Sequence, residues 1–233
     1  MDPAETFCLH SFYCSSCAQR IIIAAHLKSI PLTFSYVNLS TQEQHDLEYT
    51  QSLNPSHSVP TLVITDETKG IRVVIRQSVS ILEYFEERFP DRYPLLPPIG
   101  AEAEKRALIR DFTNIITSDV QPPTNSRIAK RVKAIRDRLE DQVDFAKACF
   151  TDGFKAYEAL LQTHGGDGGF TVGDAVTMAD VCLVPAIDQA TIYKMDMGFA
   201  PRVMEIYTNL KTLPAFQAAD WRAQGDTPEK FRV

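Results

Sequence analysis

A chain of 233 residues with 44% hydrophobic composition can bury a sizeable core and has room for one large domain or two of ordinary size. Its net charge of −6 disfavours duplex nucleic acid or an anionic membrane as the main partner, since both recruit positive surfaces. Five cysteines, an odd number scattered over Cys8, Cys14, Cys17, Cys149 and Cys182, do not make a disulfide scaffold at this length and point to a reducing compartment.

The N-terminus, "MDPAE", has neither the basic stretch nor the apolar run of a signal peptide. The longest near-apolar stretch, residues 21–25, is far short of the roughly 20 residues a bilayer span needs. A cytoplasmic protein is expected. In chain order, residues 6–12 read as a strand, 16–28 as a helix and 33–37 as a strand. After a polar stretch at 42–52, strand-like runs at 61–64 and 71–75 flank "DETKG", a hairpin turn, and a helix at 79–89 is stopped by Pro90. This order is thioredoxin-like. "PLLPP" at 94–98 reads as a stiff linker, so the expected division is a thioredoxin-like α/β domain over 1–92 and an all-α domain over 93–233. Helical periodicity begins at about 102 and continues at about 126–149, 153–163, 178–190 and 201–211. "GGDGG" at 165–169 lacks the Lys-Ser/Thr of a phosphate loop and reads as an inter-helix connection.

Three stretches of the first domain could carry chemistry. "CSSC" at 14–17 stands at a strand-to-helix junction, where unpaired N–H groups and the helix dipole stabilise an anion. That anion is either the thiolate of Cys14 or Cys17, giving a redox site, or an external thiolate that accepts a hydrogen bond from Ser15 or Ser16. "NPSHSVPTL" at 54–62 makes Pro60 a candidate cis-proline, which would turn the backbone of Val59 towards a peptide ligand; a trans proline opening a strand is the other reading. Gln77 and Ser78 precede a helix. Ser78 suits an N-cap, and Gln77 adds a polar group suited to holding a carboxylate.

In the helical domain, "TMAD" at 177–180 fits a variant capping box, with Val176 and Val181 placed as a hydrophobic staple. The basic run from Arg127 to Arg138, followed by Glu140, Asp141 and Asp144, fits a solvated helix face better than a nucleic-acid surface. The five histidines and the cysteines lack zinc spacing, so no metal site is expected.

Together "SSCAQRIIIA", "NPSHSVPTL", "QSVSILEYFEERFP", "LLPP", "VQPPTN", "GDAVTMADVCLVP" and "FQAADWRAQGDTPEKFR" resemble the cytosolic glutathione transferases, more closely their zeta class, over nearly the whole chain. The resemblance implies a homodimer whose thioredoxin-like domain binds glutathione and whose helical domain shapes the pocket for a small electrophilic substrate. It implies that Ser15 activates the glutathione thiol, with Ser16 and Cys17 beside it. Val59 at Pro60 would pair with the cysteinyl backbone, Gln77 and Ser78 would hold the γ-glutamyl end, and Gln121 and Asn125, four apart on one helical face, would reach towards glutathione. Relatives that work through cysteine place it five residues before the counterpart of Arg20, which here is Ser15. The dithiol is one position out of step, and Cys14 stands where zeta proteins often carry arginine.

The implied activity is glutathione-dependent cis-trans isomerisation, maleylacetoacetate to fumarylacetoacetate, in tyrosine and phenylalanine breakdown. Two departures bear on it. Ile192 stands where zeta proteins carry an arginine thought to anchor the substrate carboxylate, with Lys194 and Arg202 as possible substitutes. His45, next to Gln44, replaces a glutamine at the glycyl end of glutathione. A general transferase that conjugates or dehalogenates small electrophiles is therefore one alternative, and a non-catalytic or redox-responsive protein using Cys14 and Cys17 is another.

Overall fold

In a computed structural model, which describes residues 5–166 and 168–232, the chain forms two compact units. One runs to Pro94 and regains the chain from Pro214 onward; the other is Leu95–Leu213. The boundary falls in the proline-rich stretch, but the tail packs with the first unit, where the sequence reading carries the helical domain to the last residue. Aromatic packing accounts for this return. The Tyr13 ring lies 6.2 Å from Trp221 and 6.4 Å from Phe231, centroid to centroid.

The first unit contains β1 (Glu5–Ser11), α1 (Ser16–Leu27), β2 (Thr33–Tyr36), α2 (Leu47–Ser52), β3 (Thr61–Asp66), β4 (Ile71–Arg76) and α3 (Ser78–Arg88). Its four-stranded sheet has the order β2-β1-β3-β4, with β1 and β2 parallel and the other two pairings antiparallel. A parallel pair needs a crossover, which α1 supplies, and an antiparallel pair can close through the tight turn between β3 and β4. Leu62, Val63 and Ile64 of β3 are all buried, so both faces of this central strand are covered. Residues 21–25 of α1 are buried as well, as expected of a helix apolar all round. The stretch read as merely polar holds a 3₁₀ turn, Glu43–His45, and α2, which buries only Tyr49. One inward side chain leaves no period to read.

The second unit contains α4 (Ala103–Asn114), a π-helical segment (Ile115–Val120), α5 (Gln121–Thr124), α6 (Ser126–Arg136), α7 (Leu139–His164), α8 (Met178–Ile192) and α9 (Pro201–Leu210); α10 (Pro214–Ala218) belongs to the first. Among the described residues this second unit has no strand. The helix break expected at 150–152 is absent. It falls instead at Asp137, whose φ of 51° is left-handed, a conformation that Asp tolerates better than most residues. Gly153 lies inside α7, where a Cβ would overlap Cγ2 of Val120; the glycine marks close packing. The capping box of α8 forms. Asp180, fully buried, accepts the Thr177 N–H at 2.7 Å, the Thr177 hydroxyl at 2.8 Å and the Thr171 N–H at 2.8 Å. Among the described residues no helix is long and apolar enough to cross a membrane.

Candidate active site

After β1 the backbone tightens, with the Ser15 N–H donating to the Phe12 carbonyl at 2.9 Å. Ser15 is then the N-cap of α1, extended at φ −79° and ψ 107°, and its Oγ accepts the Ala18 N–H at 3.2 Å. Capping uses a lone pair of the hydroxyl oxygen. Its proton remains available for a second partner. Ser16, buried, and Cys17, half-buried, are the first two residues of the helix. The first turn contains no acidic side chain, so no carboxylate of that turn competes for the positive end of the helix.

The thiol of Cys14 is pushed up mainly by burial and further by Asp226, against a hydrogen bond from the Tyr13 hydroxyl. Tyr13 is itself pushed up to about 12, first by burial and then by Cys14 and Asp226. Neither group is an anion near neutral pH. A redox-active or nucleophilic thiol needs the opposite shift, which Cys14 does not have.

The loop at 54–60 is held from below. Buried Asn54 donates through Nδ2 to the Ser58 carbonyl at 2.9 Å and to Thr61 Oγ1 at 3.0 Å, while its Oδ1 accepts the Ser56 N–H at 3.0 Å. The Tyr49 hydroxyl donates to the same Ser58 carbonyl at 2.8 Å. Val59 precedes a cis peptide bond to Pro60, and sheet pairing begins only at Thr61. Val59 also joins Phe12, Val37 and Tyr49 in a buried cluster against which Tyr13 and Cys14 pack, so the loop and the α1 junction share one support. Asn54 and Tyr49 carry no role in the sequence reading. Asn-Pro-Ser, an Asx-turn signature, was the signal that could have singled out Asn54. His45 and His57, both exposed, stack with ring centroids 4.8 Å apart; the sequence reading gives a role to His45 alone.

Ser78 is not the N-cap of α3. Gln77 takes that position at φ 69° and ψ 126°, without a side-chain capping bond, because β4 turns directly into the helix. Such a backbone costs a non-glycine residue on the order of 1–3 kcal/mol. Ser78 is the first residue of α3, buried, and its Oγ accepts a hydrogen bond from Nη1 of Arg20 at 3.0 Å.

In the second unit Gln121 opens α5, whereas Asn125 lies beyond its end at φ −55° and ψ 136°, capping α6 by accepting the Arg127 N–H at 3.0 Å. The two therefore do not share a helical face. Ile192 is the exposed last residue of α8, and Lys194 is exposed in a left-handed conformation, φ 51°. Arg202 is committed to the carbonyls of Leu161 and Gly166, each at 3.0 Å. It holds the end of α7.

In the first unit these groups fit a small peptide thiol. A hydroxyl proton at one helix N-terminus suits a sulfur anion, and a second N-terminus, with the buried guanidinium of Arg20 behind Ser78, suits a carboxylate. Residues 14–88 match the N-terminal domain of glutathione S-transferase and residues 125–213 its C-terminal domain. The chain belongs to that family. Over 226 residues it is 42% identical to the maleylacetoacetate isomerase of Aspergillus fumigatus, covering 97% of this chain and 94% of that one. Among solved structures it resembles the maleylacetoacetate isomerase of Anaeromyxobacter dehalogenans with glutathione bound in the active site (TM-score 0.85, 30% identity, 97% and 99% of the two chains). It also resembles a bacterial maleyl pyruvate isomerase described as a zeta-class glutathione S-transferase (TM-score 0.86, 30% identity, 95% and 100%). Within the family the chain is of the zeta, maleylacetoacetate isomerase-like class.

Proposed function

We propose that the protein is a glutathione-dependent cis-trans isomerase that converts maleylacetoacetate to fumarylacetoacetate in tyrosine and phenylalanine breakdown. The observation that carries this reading is the Ser15 hydroxyl, which caps α1 through its oxygen and keeps its proton for a sulfur anion. When bound, glutathione supplies a thiolate that adds reversibly to the double bond beside a carbonyl, letting that bond rotate before the thiolate leaves unchanged. Ser15 donates to that thiolate and lowers the cost of its charge, helped by the N-terminus of α1. The backbone of Val59 at Pro60 holds the cysteinyl peptide group, Gln77 and Ser78 hold the γ-glutamyl end, and His45 with its stacking partner His57 stands for the glycyl end. The family resemblance also supports a homodimer in the cytoplasm.

A general transferase without the isomerase role is the second reading. It is favoured by Ile192 in the place of the substrate-anchoring arginine and by the commitment of Arg202 to two carbonyls, which leaves Lys194 as the candidate cation. The test is the absorbance of maleylacetone, a stable stand-in for the natural acid, with and without glutathione. Isomerisation that requires glutathione but consumes none supports the first reading; no isomerisation, with turnover of a halogenated electrophile, supports the second.

A further inference from the structure

Arg20 lies on α1, beyond the first turn that contains Cys17, with a relative exposure of 1%. A guanidinium stays charged throughout the pH range in which proteins are folded, and an unpaired charge is among the costliest things to bury. Among the described residues of this unit the only other buried cation, Lys28, is given a carboxylate, Glu86 at 2.7 Å. Arg20 is not. Its Nη1 donates to Ser78 Oγ at 3.0 Å, and its Nε and Nη2 have no hydrogen-bond partner among the described residues.

The direction of the one bond it makes is informative. Because Ser78 accepts from Arg20, the hydroxyl proton of Ser78 points elsewhere. Ser78 also opens α3, an 11-residue helix with no acid in its first turn, so its end presents unpaired N–H groups and a positive partial charge. An anion placed there meets the Ser78 proton and the helix end, with a buried positive charge directly behind them.

We propose that Arg20 is the buried counter-charge for the α-carboxylate of the γ-glutamyl end of glutathione, acting through Ser78 as a positioning residue. The free protein carries the cost of the lone guanidinium, and the ligand's carboxylate offsets it on binding. This proposal rests on the glutathione reading above.

The experiment compares the affinities of two peptides, glutathione and its analogue lacking only the α-carboxylate, for wild type and for Arg20→Met. The wild type prefers glutathione by roughly tenfold or more, the scale expected for a charge felt through one intervening group. In Arg20→Met the preference shrinks to within about twofold, while the thermal midpoint of the ligand-free protein stays level or rises, because an uncompensated charge has been removed. A folded Arg20→Met that keeps the wild-type preference overturns the proposal, as does a large fall in the ligand-free midpoint, which marks a structural role. If the methionine variant does not fold, Arg20→Gln, neutral but able to donate to Ser78, decides the matter by the same loss or retention of preference. Wild-type protein that binds neither peptide removes the glutathione reading itself. Binding without preference removes this proposal alone.

Discussion

The carboxylate of Asp226 accepts the backbone N–H of Tyr13 at 2.9 Å, across 213 residues of sequence. A residue near the end of the chain thus holds the segment that leads into the Ser15 cap. The tail is itself braced: Arg232 donates to the Thr227 and Gly225 carbonyls, each at 3.0 Å, and the Trp221 and Phe231 rings meet edge to face at 5.9 Å. Losing the carboxylate removes a hydrogen bond to a charged acceptor, worth about 1.5–3 kcal/mol. Asp226→Ala is expected to lose stability on this scale in urea unfolding and to lower turnover more than glutathione affinity, because it loosens the approach to Ser15. Asp226→Asn keeps an acceptor and recovers most of both. Equal turnover in the alanine variant and the wild type contradicts the assignment.

Acid stability provides a second test. Asp66 accepts from the Thr68 hydroxyl at 2.6 Å, the Lys69 ammonium at 2.8 Å and the backbone N–H groups of both, and its carboxyl is held down at about 2, chiefly by the hydrogen bonds from Lys69 and Thr68. A carboxyl with a depressed folded value stabilises the fold above its unfolded value, about 3.9, and loses that contribution as pH falls towards the folded one. Asp66→Asn is therefore expected to melt below the wild type at pH 7, with the gap closing between about pH 4 and pH 2. Thermal midpoints across that window check it, and a constant gap refutes it.

Gly153 tests the packing of α7. In a helix interior Gly→Ala ordinarily stabilises by up to about 1 kcal/mol, but here the new methyl overlaps Val120. Gly153→Ala should instead destabilise by about 1–3 kcal/mol, and adding Val120→Ala should restore much of the loss. A stabilised single variant shows that the contact is not tight.

What was legible in the sequence follows the range of the interactions. The strands, α1 and the capping box at Thr177 and Asp180 are written in neighbouring residues, and so is the turn between β3 and β4. The break expected at 150–152 falls at Asp137 instead, where a left-handed backbone turns the chain with no glycine or proline beside it to mark the place. Ser78 reads as a cap until Arg20, 58 residues away, is found donating to it, and Asn125 reads as helical until its side chain is seen turning the chain into α6. The return of the tail to Tyr13 depends on contacts across almost the whole chain. No local pattern announces it.

The central claim is that Ser15, and not the thiols around it, handles the glutathione sulfur. The most direct measurement is the rate of glutathione-dependent maleylacetone isomerisation in Ser15→Ala beside Cys14→Ala, with glutathione affinity measured for both. Removing a single donor to a charge that drives the reaction typically costs about 10²–10³ in rate. Ser15→Ala is predicted to fall by about a hundredfold with affinity within several-fold of the wild type, and Cys14→Ala to keep its rate. A Ser15→Ala that turns over like the wild type, with Cys14→Ala silent, would contradict the account and return the site to its dithiol.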